Sequence, residues 1–482
     1  MIVGVDIGTS LTKAVVFDED GSSVASACTP SEVHHHTGGL VEQDLDQVVG
    51  TVVTVVREVA ARLPEPVTAL ALTGQGDGMW LRDERGAAVR PAISWLDARA
   101  NTLLSKWQAD GVAREVFRRT GSGMFPGCAA AIMSYLDGRE PEVLDRAVVA
   151  GYCVDAVVQR LTGEITVDAS DASLPFLDQA TRQYDEGAIE ACGLSHRRSL
   201  FADPAPPKTV FRLNAGGAEL LGLPVGLPVT AGPFDLPASA IGAGVREPGD
   251  GILTAGTTLA CQVLTADAAF DREGEPAGMF LSTPDESRFL RAMPAMVGTA
   301  GIDWVCALLG IDVTEIDALL ASSAAGAGGV RSLPFLSVSG ERAPFVDAGA
   351  RAQFAGLSLE SSRGDVVRAL CESIAFAARH CFEAAGLSGR LYACGGGVRS
   401  PEWIRIFADV LGRPIVIPSD PGVGARGAVL TAASALGTPF DQERWAANSR
   451  TVAVRPENVE VYERGYADYQ ASLAAARGLW RL

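Results

Sequence analysis

The chain reads as an α/β protein of two related domains, each with a mixed central sheet flanked by helices. Three observations predict this. Its 482 residues exceed what one hydrophobic core ordinarily organises. Strand-like and helix-like runs alternate through the second half. The layout of GVDIGTSLTKAVVFD near the start returns in GILTAGTTLACQVLT, with Gly8-Thr9 matched by Gly256-Thr257, a repeat that points to two related domains facing one another across a cleft. The joint falls in the Gly/Pro-rich Glu247-Pro248-Gly249-Asp250-Gly251, so the expected domains are 1–246 and 247–482.

Composition narrows the function classes. A hydrophobic content of 48% with 20% charged residues is globular, and no apolar run approaches the length of a membrane span, so a soluble protein without membrane partners is expected. A net charge of −18 argues against nucleic acid, whose phosphates most of the surface would repel. The strand-like N-terminus has an acid at Asp6 and no basic flank, unlike a secretory signal. Nine cysteines without a CxxC pair fit a reducing cytoplasm and no zinc site. Lysine occurs only at positions 13, 106 and 208, which singles out Lys13.

Taken in order, residues 2–28 predict three short strands broken by Gly8-Thr9-Ser10 and by Asp20-Gly21. His34 to His36 read as an exposed loop. Residues 44–63 carry apolar side chains at helical spacing, and 67–73 form a buried-strand pattern ending in Gly74-Gln75-Gly76-Asp77-Gly78. Loops at the carboxyl ends of strands are where open α/β sheets bind ligands. A second polar loop, Trp95 to Arg99, follows strand 92–94. Residues 101–119 and 140–161 predict helices. Beyond the joint, helix 365–386, strand 390–394, helix 401–411, strand 414–418 and helix 425–436 alternate.

The chemistry concentrates at a few turns. A strand entering a tight Gly-Thr turn directs backbone N–H groups and hydroxyls outward, which suits phosphate. An ordinary hairpin reads the same way, but two such turns at matching places favour phosphate. Asp6 and Lys13 flank the first turn, a carboxylate able to hold magnesium and an ammonium able to offset phosphate charge. No lysine stands in a P-loop frame. Gly422, Gly424 and Gly427 form a G-x-G-x-x-G, but Ser419-Asp420-Pro421 separates it from the preceding strand and it falls late in the domain, against a dinucleotide site. Gly395-Gly396-Gly397, between a strand and a helix, is either a tight connection or a seat for a flat ligand. Asp235, set among apolar neighbours in GPFDLPA, is a candidate proton acceptor; a helix N-cap is the competing reading, and the two roles are compatible.

These residues resemble the FGGY family of carbohydrate kinases, within the group built on the actin and hexokinase ATPase fold. The likeness runs through GVDIGTSLTKAVVFDEDG, GQGDG, RPAISWLDARA, GPFDLPASAIGAG, GILTAGTTLA, GERAPFVDAGARAQFAGLSL and ACGGGVRSPEWIRIFADVLGRPIVIP. It implies two actin-like (ribonuclease H-like) domains, sugar-binding over 1–246 and ATP-binding over 247–482. It implies ATP with Mg²⁺ as cofactors, a homodimer as one permitted assembly, and a ketose or short polyol phosphorylated on a terminal hydroxyl. By the same resemblance ATP would contact Thr9, Ser10, Lys13, Gly256, Thr257 and Thr258. Its adenosine would meet Asp303, Gly396 and Ser400, and magnesium would be oriented by Asp6 through water. Gln75, Gly76 and Asp77 would bind substrate, and Asp235 would both contact and deprotonate it.

The chain also departs from the family pattern. Gly76-Asp77 replaces the Arg-Glu of glycerol kinases and the Met-His of D-xylulose kinases, which places the motif nearest the L-xylulose and erythritol kinases. Leu236 replaces an amide that usually reaches the sugar. A lysine usual near Ala131 to Leu136 is absent, and Cys371 stands where a larger apolar residue is common. Two other readings share part of the pattern: an inactive kinase relative and an actin-like nucleotide-binding protein. Gln75 to Asp77 together with Asp235 favour the kinase, since a filament protein needs neither.

Overall fold

The computed structural model describes residues 1–420, 422–446 and 449–480; Pro421 of the Ser419-Asp420-Pro421 segment lies outside them. The chain divides into two compact units: Met1–Gly244 with Thr265–Leu290 and Gly422–Ala447, and Val245–Leu264 with Arg291–Pro421 and Asn448–Leu482. This differs from a single cut at 246/247, because two later segments return to the first unit.

In the first unit, β1 (Ile2–Ile7), β2 (Leu11–Phe17) and β3 (Ser23–Pro30) form an antiparallel meander. On the other side of β1 lie β4 (Ala69–Gly74), parallel to it, then β6 (Pro228–Ala231), with β5 (Phe211–Arg212) antiparallel at the edge. The order is β5-β6-β4-β1-β2-β3. A central strand of this kind needs cover on both faces. Helix α1 (Leu45–Ala60) supplies one, burying Leu45, Val48, Val49, Val52, Val55, Val56 and Val59 at helical spacing against Val3, Val5 and Ile7. Each such side chain contributes about 1.5–3 kcal/mol. Asp44 caps the helix, its carboxylate accepting the Gln47 N–H at 2.9 Å.

The other face is covered by α3 (Val423–Ala435), which packs Ala425, Ala428, Val429 and Ala432 on Val15 and Ala71. It also lies against α2 (Asp235–Ala243). The glycines of the late G-x-G-x-x-G serve this packing. A Cβ on Gly427 would lie 1.8 Å from the Ala238 carbonyl oxygen, and one on Gly424 would lie 2.3 Å from Asp6 Oδ2. The motif is thus a close seam, and it explains why these residues return to the first unit.

The second unit repeats the plan. Strands β7 (Gly251–Ala255) and β8 (Leu259–Thr265) are antiparallel, with β9 (Phe289–Ala295) beyond. Strand β10 (Leu391–Cys394) runs parallel to β7, β11 (Ile415–Ile417) parallel to β10, and β12 (Arg450–Val452) antiparallel at the end. Six of the seven strands of this sheet, in the order β9-β8-β7-β10-β11-β12, match the first sheet strand for strand. Helices Arg363–Ala385 and Pro401–Leu411 supply Leu370, Ile374, Ala378, Ile404 and Phe407 to its core.

Two predicted helices differ. The span 101–119 breaks into Asn101–Ala109 and Val112–Thr120 at Gly111, whose φ of 83° ends the first helix. The span 140–161 contains a strand, Val149–Gly151, between helices Pro141–Arg146 and Cys153–Thr162. That strand pairs with Trp80–Arg82, so cross-strand pairing overrides local helical spacing. His34 and His35 form an exposed two-residue strand against Val41 and Glu42 in place of a loop.

Candidate active site

At the end of β1, Asp6 faces Lys13 directly across the strand pair, which puts both side chains on one face of the sheet. They close no ion pair among the described residues, yet the ammonium favours the charged carboxylate. Burial opposes this more strongly and raises the Asp6 pKa to about 6. The Asp6 carboxylate accepts no hydrogen bond among the described residues. It abuts Gly424 in the first turn of α3.

The turn that follows is fastened into its surroundings. Gly8 N–H donates to the Leu11 carbonyl at 3.1 Å. The Thr9 hydroxyl donates to Gln75 Oε1 at 2.9 Å and accepts from the Trp95 indole N–H at 2.9 Å. Gln43 Nε2 donates to the Thr9 carbonyl at 3.3 Å, and Gln75 Nε2 donates to Gln43 Oε1 at 3.0 Å. Thr9 and Gln75, expected to touch different ligands, are therefore bonded to each other. Ser10 is exposed, and its hydroxyl has no partner among the described residues.

Gln75 and Asp77 are buried, and Asp77 has the left-handed φ of 56°. Gly76 between them lies under Phe234: a Cβ there would be 2.7 Å from the ring Cδ2. The next residue, Asp235, opens α2. It is the first helical residue and not the N-cap, a position held by Phe234. Part of Asp235 reaches solvent, but the surrounding protein pushes its pKa up to about 8. Desolvation is the main cause, the charge of Asp6 adds to it, and the Leu236 N–H opposes it.

Sequence reasoning missed the segment that holds this turn in place. Phe234 N–H donates to Ser170 Oγ at 3.1 Å, and Ser170 in turn donates to Asp168. Asp171 is fully buried, and neither carboxylate oxygen has a hydrogen-bond partner among the described residues. Desolvation and then Asp155, Asp168, Asp235 and Asp77 push it well above the usual carboxylate range. The signal was the alternation VDASDAS, which is turn chemistry, but nothing local says which turn it clamps. Trp95, in sequence only part of a polar loop, likewise holds the Thr9 hydroxyl. The stretch lacking the family's lysine is a helix whose Ala131, Ile132, Met133 and Leu136 are all fully buried. This interior has no place for an unpaired charge.

In the second unit, Gly256 N–H donates to the Thr258 carbonyl at 3.1 Å. The Thr257 carbonyl accepts from Gly298 N–H at 3.0 Å and from Ala300 N–H at 3.2 Å, while Thr299 N–H donates to the Gly256 carbonyl at 2.7 Å. Helix Thr299–Leu309 thus docks its first turn on the Gly-Thr-Thr turn. Thr257 is exposed, and neither its hydroxyl nor that of Thr258 has a partner among the described residues. Asp303 is exposed on this helix. The triple-glycine turn closes on the same strand end, since a Cβ on Gly395 would be 2.6 Å from the Ala255 carbonyl oxygen, whereas one on Gly396 would meet open space. Ser400 caps helix Pro401–Leu411. Its hydroxyl accepts from Trp403 N–H at 3.1 Å and donates to Asp317 at 2.7 Å.

The structure therefore gathers Asp6, Thr9, Lys13, Gln75, Gly76, Asp77 and Asp235 in one unit, and Gly256, Thr257, Thr258 and Gly396 in the other. No group of three or more His, Cys, Asp or Glu side chains able to hold a metal occurs among the described residues, and no helix there is long and apolar enough to cross a membrane.

Residues 1–242 match the N-terminal domain, and residues 254–436 the C-terminal domain, of the FGGY family of carbohydrate kinases. Curated relatives include the erythritol kinase of Brucella abortus (strain 2308), 34% identical over 459 residues that cover 91% of this chain and 88% of that protein. The xylulose kinase of Escherichia coli (strain K12) is 28% identical over 434 residues, 86% of each chain. Among solved structures, xylulose kinase from Rhodospirillum rubrum matches with a TM-score of 0.88 and 29% identity over 99% of both chains.

Proposed function

Because the chain belongs to the FGGY family of carbohydrate kinases, an ATP-dependent sugar or polyol kinase, we propose that its acceptor is a short polyol of the erythritol type, phosphorylated on a terminal hydroxyl. The observation that carries this is the loop Gln75-Gly76-Asp77, bonded to Thr9 and presenting no side chain at Gly76. With Leu236 after Asp235, it offers fewer hydroxyl contacts than a long sugar needs. The likeness to an erythritol kinase supports the same class. A ketopentose is the second reading, favoured by the xylulose kinases among the relatives.

On this assignment Asp235 accepts the proton of the attacking hydroxyl, the one proton transfer that phosphoryl transfer requires. Its pKa of about 8 without ligands suits a base working near neutrality. Gln75, Gly76 and Asp77 orient the acceptor. Ser10, Thr257 and Thr258 supply hydroxyls for the ATP phosphates, while Thr9, Lys13 and Gly256 shape and charge their surroundings. Gly396, Ser400 and Asp303 serve the adenosine. Asp6, half-buried and without a hydrogen-bond donor, fits the single carboxylate that Mg²⁺ takes when phosphates and water complete its shell. Mg²⁺ would neutralise charge on the transferring phosphate. We place residues 1–246 as the acceptor-carrying portion and 247–482 as the ATP-carrying portion of a cytoplasmic enzyme.

A coupled ADP-release screen over glycerol, tetritols, pentitols, ketopentoses and ketohexoses tests the acceptor. The highest kcat/KM is expected with a tetritol. A clear preference for a ketopentose would install the second reading.

A further inference from the structure

Position 76 is the one place in the acceptor loop with no side chain, and its surroundings show why. A Cβ on Gly76 would lie 2.7 and 3.0 Å from Cδ2 and Cε2 of Phe234 and 3.1 Å from Asp171 Oδ1. The ring occupies the room that any other residue at 76 would use. It cannot readily swing away, because Phe234 is 3% exposed and its backbone is tied to Ser170. It also immediately precedes Asp235, so the ring and the reacting carboxylate are carried by adjacent residues of one fixed turn.

We infer that Phe234 gauges the length of the acceptor. This rests on the proposed roles of residues 75–77 and Asp235, and adds the residue that sets specificity among acceptors. An acceptor whose hydroxyl is held at Asp235 and which extends toward Gly76 meets an apolar ring. The ring excludes one more carbon by volume, and the ring itself offers the hydroxyl on that carbon no partner. Beside the ring is a group that could pair with that hydroxyl, since Asp171 Oδ1 would lie 3.1 Å from the same Cβ on Gly76. Asp171 is fully buried, and both of its carboxylate oxygens lack a partner among the described residues. Removing the ring would give an added hydroxyl room beside a carboxylate already in place.

The test compares kcat/KM for a series of polyols and ketoses of three to six carbons in the wild type, Phe234→Ala and Phe234→Leu. Thermal melting and the KM for ATP confirm that each variant is folded and binds nucleotide. Either variant is expected to raise the ratio of the acceptor one carbon longer over the wild-type acceptor at least tenfold. Adding Asp171→Ala to Phe234→Ala should abolish most of that gain. Gly76→Ala, which forces a methyl group against the ring, should lower kcat/KM for every acceptor with little change in the KM for ATP. A length ratio within twofold of wild type in a folded Phe234→Leu overturns the inference. The wild-type profile is scored separately: a ketopentose preference defeats the tetritol assignment, while the gauge is still read from the next longer sugar.

Discussion

In the first unit the turn between β1 and β2 runs from Gly8 to Leu11, closed by the pair Ile7 and Thr12. In the second, the turn between β7 and β8 runs from Gly256 to Thr258, closed by Ala255 and Leu259, and is one residue tighter. Where Asp6 faces Lys13, Thr254 faces Ala260. Thr9 spends its hydroxyl on Gln75 and Trp95, whereas Thr257 and Thr258 keep theirs unpaired. A shared strand plan thus serves two different purposes. The first turn holds charge and is welded to the loop at Gln75; the second presents hydroxyls without a partner among the described residues and is braced from behind by a helix. On the proposed assignment, reactivity belongs to the first and nucleotide holding to the second.

The largest expected effect tests that division at its reactive end. Asp235→Asn should lower kcat by about 10²–10⁴ with ATP binding nearly unchanged, as read by ADP release and nucleotide titration; ordinary turnover would remove Asp235 as the base. Next, Gly424→Ala would press a methyl group into Asp6. It should cost about 1–3 kcal/mol in denaturant unfolding and lower kcat by up to about 10² through misplacement of the acid. Full activity would mean that the placement of Asp6 is not critical.

The two turns can then be set against each other. Thr257→Ala should raise the KM for ATP by about 2–13-fold, the worth of one hydrogen bond, and leave the KM for acceptor alone. Thr9→Ala should disturb both, because it releases Gln75. Identical kinetic signatures from the two variants would break the comparison.

The smallest effect is electrostatic. In the ligand-free protein the pKa of Asp6 is raised from 3.8 to about 6 and that of Asp235 from 3.8 to about 8. The native state thus holds these protons more tightly than the unfolded chain. Their contribution to stability is whole below about pH 4 and is lost as pH rises through about 6 and then about 8. Melting temperature without ligands should fall from pH 6 to 9, and less steeply in Asp235→Asn. Parallel curves would show that Asp235 is not held protonated.

Much of this was legible in the sequence because it is local. Gly-Thr turns, the apolar stripe of residues 45–59 and the strand-helix alternation after the joint each declare themselves within a few residues. The late place of Gly422 to Gly427 in the chain was equally plain, although not the packing of the glycines, which depends on Asp6 and Ala238. What stayed hidden depends on distant partners. Residues 149–151 become a strand because Trp80–Arg82 awaits them. Ser170 matters because Phe234 comes to it, and the hydroxyl of Thr9 is consumed by residues 75 and 95. The kinship of the two domains could be read from two short motifs, but a return of residues 423–435 to the first sheet could not.

That return has a consequence in time. Asp6 is joined long before the helix whose first turn packs against it, which is complete only at Ala435. At synthesis rates of about 5–20 residues per second, roughly 20–90 s separate the two events. Over that interval Val15 and Ala71 lack the cover that Ala425, Ala428, Val429 and Ala432 later supply. The nascent protein gains a shielded acid only when the helix docks, so a product cut short before residue 423 lacks the packing that holds Asp6 in place.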